Sequence, residues 1–444
     1  MKEERNIDAH GGNGRWFRRA LILVLLPLCF RTFQFLPGMS YVQEVWFALC
    51  FLGLVFVYPY LKIRSGLVFS HFEIYLILMV VVTVSLTTRQ AHAVFGQPAS
   101  YGILSQRDLV LLGVWLVLLH LLRVRLLNVA DIEVVLLTLA WLTFALYVAM
   151  RICLSPSDFL AYGEGFVTRP MIGVEPAFKL QEFFILFGVF YYALLGIRTR
   201  RSKYYLAAAI LFPVTLGASG RGILIGVLLT LLCFLFMLRG TRQAVIASVK
   251  FFGVTSVLLL LAYVVSPATL NARMRGFSDA LSASTGSATQ DPSANARIIE
   301  IAIALPYIAA HPFLGNGIVS HQWQGGSETA MGAYFFASDI GIFGILFSYG
   351  LLGLFLYAWQ YRSAWSVARQ IPDSLNIPLL DAIKAFLLYS AIYSLESGMF
   401  VWSANVTLFF VVLLFGISAQ VSTSDPAALL TGGKCSPTRH ALSA

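Results

Sequence analysis

The chain has 444 residues, of which 58% are hydrophobic and 12% charged, with a net charge of +10 and a mean hydropathy of +0.79. Ordinary soluble domains carry about 25% charged residues, so a soluble fold of this length would lack the polar surface it needs. The basic excess does not point to nucleic acid, because Lys and Arg fall in short clusters between apolar runs, as the positive-inside rule expects of a membrane protein.

Residues 1–19 form a basic N-terminal tail. The first apolar run begins at Ala20, lacks a small-residue cleavage site and leads directly into further apolar runs, so it is read as a span and not as a signal peptide. Each run is long enough to cross a hydrocarbon core about 30 Å thick. The spacing predicts twelve spans, roughly 20–37, 41–61, 69–87, 109–127, 131–152, 178–197, 204–219, 221–239, 243–265, 339–360, 379–396 and 402–420. The seventh is short and needs neighbouring helices to accommodate Pro213. Five cysteines (Cys29, Cys50, Cys153, Cys233, Cys435) show no paired spacing and read as small apolar packing residues.

Placing the N-terminus in the cytoplasm puts twenty of the 31 Lys and Arg residues on inner segments and ten on outer ones, with Lys384 in the first turns of span eleven. That excess predicts both termini, 1–19 and 421–444, in the cytoplasm. The expected fold is therefore all-α and polytopic: transmembrane helices one to nine over 20–265, a large periplasmic loop over 266–338, and helices ten to twelve over 339–420.

The loop carries its own pattern. Small polar residues from Ser282 to Ala296 predict a mobile stretch. An apolar segment follows, Arg297–Ala310, about 20 Å long if helical, too short to span and better suited to the membrane interface. His311 and the PFLGNG behind it supply the Pro and Gly that stop a helix.

Ionisable residues near spans are costly and mark function by default. They favour the outer side here: Arg31, Glu44, Lys179, Glu182, Arg221, Asp339 and Glu396, against Glu73, Lys250 and Lys384 on the inner side. Few lie at mid-bilayer, where an ion relay would need them. Arg221 sits in SGRG between Gly220 and Gly222, which permit close backbone approach. Its planar fork of donors suits phosphate, although a helix-end Arg reaching headgroups is the plainer explanation. Arg297 opens the loop helix, one turn before Glu300, and a surface Arg–Glu pair at that spacing would account for it. Asp339 begins span ten, where Ser338 and Asp339 are placed to cap the helix; a carboxylate there can also accept a proton from a sugar hydroxyl. His321 and Glu328, in the preceding loop, compete for that task. No metal-ligand spacing and no phosphate-loop glycine pattern is present.

Three signatures in order, SGRG at 219–222, Arg297 followed by HPFLGNG at 311–317, and the glycine-ruled span DIGIFGILFSYGLLG at 339–353, resemble the bacterial O-antigen ligase and polymerase superfamily. Twelve spans with one large outer loop between the ninth and tenth match that layout. The resemblance implies a metal-independent, inverting glycosyltransferase of the bacterial inner membrane that needs no cofactor. It implies an undecaprenyl-diphosphate-linked oligosaccharide as donor, with Arg221 and Arg297 holding the diphosphate and Asp339, His321 or Glu328 taking the acceptor proton. Membrane lipid, chain-length regulators and flippases are the implied partners, and nucleic acid is not. Related ligases carry His where Asp339 and Ile340 stand on the GLLG alignment, which favours a polymerase over a ligase to lipid A-core. A lipid-linked oligosaccharide transporter is the rival class; it would call for a polar path through both leaflets.

Overall fold

A computed structural model describes residues 4–32, 39–162, 178, 183–218, 223, 225–234, 249, 253, 256, 292–332, 334–372, 377–397 and 404–423. The described residues are helical apart from turns and connecting segments. In chain order the α-helices are α1 (Glu4–Cys29), α2 (Met39–Leu52), α3 (Tyr58–Ser65), α4 (His71–Phe95), α5 (Ala99–Leu104), α6 (Leu112–Arg123), α7 (Val129–Cys153), α8 (Phe183–Thr199) and α9 (Ser202–Ala218). They continue as α10 (Ile225–Phe234), α11 (Pro292–Ala310), α12 (Ser327–Met331), α13 (Gly341–Gln370), α14 (Pro378–Tyr393) and α15 (Ala404–Thr423). A π-helical turn over Gly53–Val57 joins α2 to α3.

Four helices among the described residues are long and apolar enough to cross a membrane: Tyr41–Ser65, α4, α7 and α13. Phe183–Thr199, Ile225–Phe234 and Asn405–Val421 are apolar but shorter. Parts of several other expected spans, including most of 243–265, lie outside the described residues.

Local chemistry sets the helix ends. Ser70 and Glu73 form a reciprocal capping box at the start of α4, the Glu73 carboxylate accepting the Ser70 N–H at 2.6 Å. Gly96 ends the same helix in the left-handed conformation. The Asn128 side chain accepts the Ala130 N–H at 3.1 Å and caps α7. Pro213 is held inside α9, which packs along α8.

The core centres on α15, where Leu408 to Leu414 are buried on every side. Phe409 and Phe410 contact Phe30, Trp115, Phe187 and Phe386 from surrounding helices, with Phe30 stacked on Phe184 at 4.9 Å. Such aromatic pairs add about 0.5–1.5 kcal/mol beyond their buried area. Polar residues near the two ends of α15 close off other helices. Asn405 donates to the Cys29 carbonyl at 2.6 Å, and Gln420 donates to the Leu122 and Leu127 carbonyls at 3.1 and 2.8 Å. Cys29 and Leu122 lie in the last turns of α1 and α6, where carbonyls lack intrahelical partners, and Leu127 lies in the turn before α7; the two side chains tie these segments to α15.

Ion pairs sort to the two ends of the bundle. At one end Lys62 meets Glu73 at 2.8 Å, Arg123 meets Glu73 at 3.0 Å, Arg15 and Arg19 converge on Asp131, and Arg198 pairs with Asp381. At the other end Arg31 pairs with Asp108, Arg107 with Glu44 at 2.8 Å, and Arg297 with Glu396 at 2.7 Å. The second end carries the 292–340 segment and is here called the loop end; the first is the far end.

Candidate functional site

The loop end is organised by a break in α13. Gly350 adopts φ 63°, ψ −165°, so the helix is interrupted there and resumes to Gln370. The expected span over 339–360 coincides with the candidate span Gly341–Gln370, and its glycines mark a discontinuity within it. Breaking a helix strips backbone groups of their partners, which is intolerable in an apolar setting unless something else supplies them. HPFLGNG does so. Asn316 and Gly317 donate their N–H groups to the carbonyls of Phe347 and Ser348 at 2.7 and 3.1 Å, while Leu351 and Leu352 donate to the carbonyls of Pro312 and Phe313 at 2.9 and 3.0 Å. The buried Asn316 side chain adds a bond to the Phe347 carbonyl at 3.1 Å. Gly315 has a left-handed φ of 69°, and a Cβ on it would strike the backbone at Tyr349 and Gly350. Two of the sequence signatures are thus halves of one clasp.

That clasp fixes α11, whose Ala304 and Tyr307 pack with Ile340 and Phe347 of the α13 start. The helix begins at Pro292, inside the stretch expected to be mobile, so Arg297 lies in its second turn and does not open it. It ends at Ala310, with His311 just beyond, as the Pro and Gly spacing expects. Residues 282–291 lie outside the described residues.

Arg297 does not pair with Glu300, as the i, i+3 spacing suggests, but with Glu396 beyond α14, at 2.7 Å; both are more than a third exposed. Glu300 turns inward instead and is 1% exposed. One of its oxygens accepts the Phe336 N–H at 3.1 Å and the other has no hydrogen-bond partner. α11 is not among the described helices long and apolar enough to cross a membrane, and burial pushes the Glu300 carboxyl up to about 7, with Phe336 opposing, Asp339 adding to the rise and Arg297 opposing it.

Asp339 closes a 3-10 turn, Ala337–Asp339, ahead of α13. The expected cap is absent: Ile340 is the N-cap and no side chain caps the helix. The Asp339 carboxylate instead accepts the Ser338 hydroxyl at 3.0 Å and is half-buried. Ser397, next to Glu396, donates to the Ser338 carbonyl at 3.4 Å, tying the Arg297 partner to the Asp339 turn. His321 is exposed, its ring 5.5 Å from that of Phe336. Glu328 is exposed on α12. Arg297, Glu300, Asp339, Glu396 and His321 therefore gather at one end, linked through Phe336 and Ser338; Glu328 lies on the adjoining short helix.

Arg221 lies outside the described residues, as do Lys179 and Glu182. Gly226, just downstream, packs against Tyr389 and Tyr393, three residues before Glu396. Glu300 was not legible as a site residue, since only burial distinguishes it from a surface partner of Arg297. Among the described residues no group of three or more His, Cys, Asp and Glu side chains is placed to hold a metal. A cavity of about 310 Å³ opens beside His321 between Phe95, Tyr307, Trp323 and Thr329.

Residues 206–358 match a family model described as O-antigen ligase. A search of the curated proteins gave no match.

Proposed function

We propose, from the match of residues 206–358 to a family model described as O-antigen ligase, that this protein is a glycosyltransferase of the bacterial inner membrane, acting at its periplasmic face with both termini in the cytoplasm. Its donor is a glycan on undecaprenyl diphosphate and its acceptor a sugar hydroxyl. The observation that supports this reading is the gathering at the loop end of an accessible guanidinium, Arg297, and a half-buried carboxylate, Asp339, linked through Glu396, Ser397 and Ser338.

In this mechanism Arg297, with Arg221, holds the donor diphosphate. Arg297 is free to exchange, because a half-exposed pair such as Arg297–Glu396 is worth only about 0–1 kcal/mol. The acceptor oxygen forms a bond to the anomeric carbon as the bond from that carbon to the diphosphate oxygen breaks, with inversion. The electron pair leaves on undecaprenyl diphosphate, where two forks stabilise the growing charge. The hydroxyl proton passes to Asp339, with His321 and Glu328 as the other candidate bases. Glu300 keeps Phe336 and the Asp339 turn in place.

Polymerase is favoured over ligase because, on an alignment through GLLG at 350–353, Asp339 and Ile340 fall where ligases resembling this chain carry His. The purified protein, supplied with lipid-linked repeat units and, separately, with lipid A-core, should lengthen the former and leave the latter unmodified. Transfer to lipid A-core alone would overturn the polymerase reading. Orientation has its own test: a cysteine replacing Ser287 should react with a membrane-impermeant thiol reagent in intact cells and one replacing Ser202 should not. Chain-length regulators and flippases are the partners this role implies.

A further inference from the structure

We propose that the cavity walled by Phe95, Tyr307, Trp323, Gln324 and Thr329 is a saccharide subsite, which seats an uncharged sugar of the acceptor chain next to the reacting hydroxyl. The inference rests on the glycan-transfer reading for its ligand and on the cavity itself for its chemistry. At about 310 Å³ the space lies at the lower end of the ~300–1,000 Å³ found for small-ligand pockets, room for a short saccharide and not for a polyprenyl chain. Its lining is amphipathic. Phe95 and Tyr307, 5.9 Å apart, and Trp323 offer aromatic surface to the C–H face of a pyranose, while Gln324 and Thr329 offer an amide and a hydroxyl to its hydroxyls. No lining residue is charged, so neither a phosphate nor a carboxylate would find a partner.

The wall is shaped in advance. Gln324, Gly325 and Gly326 have φ of 48°, 84° and 81°, a region that a non-glycine adopts only where its surroundings impose it. Two bonds impose the turn: Trp323 N–H to the Ser320 carbonyl at 3.0 Å, and Gly326 N–H to the Trp323 carbonyl at 2.8 Å. Ser320 is held in turn by fully buried Gln97, which accepts the Ser320 N–H at 2.7 Å and donates to the Ile318 carbonyl at 3.1 Å. The turn also backs onto the candidate chemistry. A Cβ on Gly326 would sit 3.2 Å from the His321 Nδ1, and the His321 ring lies over Phe336, whose N–H is held by Glu300. A sugar in the cavity is therefore next to the groups proposed to take its neighbour's proton.

The test is saturation-transfer NMR on the full-length protein in lipid nanodiscs. The probes are oligosaccharides released by mild acid from the host's own surface polysaccharide and, separately, undecaprenyl phosphate. Wild type and Arg297→Ala should bind the oligosaccharide alike. Trp323→Ala, and Ala330→Phe, which fills the cavity from another lining position while keeping the indole, should weaken binding at least about tenfold, with Trp323→Phe in between; undecaprenyl phosphate binding should not change. In chain-extension assays Trp323→Ala should raise the acceptor KM and leave kcat nearly unchanged. Oligosaccharide binding that is absent from wild type, or unaltered in both Trp323→Ala and Ala330→Phe, overturns the subsite. Saccharide binding at Trp323 by a protein that extends no chains keeps the subsite and removes glycan transfer; chain extension with an unchanged acceptor KM in Trp323→Ala does the reverse.

Discussion

The two ends of the helix bundle use the same residue types for opposite purposes. At the far end the carboxylates are sealed: Glu73 is 0% exposed, Asp131 1% and Asp381 2%, each held by one or two cations. At the loop end Arg297 and Glu396 are 39% and 37% exposed and meet as a single contact. Sealed pairs hold helix ends together and cannot easily be rearranged, because a partner removed leaves a buried charge uncompensated. Open pairs add little stability and can trade a carboxylate for a phosphate. On the proposed function, charge that stabilises and charge that binds substrate lie at opposite ends of the bundle.

The largest expected effect lies at the far end. Lys62→Ala strips Glu73 of its closest cationic partner and should lower stability by about 3–5 kcal/mol, read by denaturant unfolding in detergent, with activity per folded molecule unchanged. A loss confined to activity would erase the distinction between the ends. Next, Asp339→Asn should reduce chain extension by about two orders of magnitude, the lower range of a general-base contribution, at wild-type stability. His321→Ala and Glu328→Gln in the same assay sharpen the assignment: abolition by His321→Ala with Asp339→Asn nearly active would move the base to His321. Glu396→Gln at the loop end should cost less than about 1 kcal/mol, so a loss as large as that from Lys62→Ala would show the open pair to be structural.

The division between the ends was partly readable in advance. Hydropathy made the all-helical fold legible, and the order Arg297, HPFLGNG and GLLG marked the segment that carries the candidate site. Contacts across long sequence separations were not readable. Nothing local couples Arg297 to Glu396, Arg15 to Asp131, or Asn405 to Cys29, since each depends on how helices pack. The glycine-ruled pattern at 339–353 is compatible with a close-packed helix or with a break, and only the four backbone bonds from residues 312–317 decide for the break at Gly350. Glu300 is a similar case: its spacing from Arg297 suggests a surface pair, while packing of α11 against α13 turns it inward.

A pH-dependent effect concerns that residue. The Glu300 carboxyl titrates near 4.5 when free and is pushed up to about 7 in the fold. The native state then holds a proton that the unfolded chain has released, so stability falls as pH rises from about 4.5 to 7 and levels off above. Glu300→Gln keeps an acceptor for the Phe336 N–H and should flatten that part of the profile of Tm against pH. An unchanged slope would assign the pH dependence elsewhere.

Arg297→Lys tests the central claim most directly, because it keeps the charge and removes the fork. Purified wild-type and variant protein, at equal folded concentration, would be compared in the conversion of lipid-linked repeat units into longer chains, with unfolding measured on the same samples. A loop end that works by holding a diphosphate predicts activity down by about 10²–10³, the cost of losing one preorganised donor at a charge-developing oxygen, with stability changed by less than about 1 kcal/mol. Wild-type turnover in Arg297→Lys and in Arg297→Ala would contradict it.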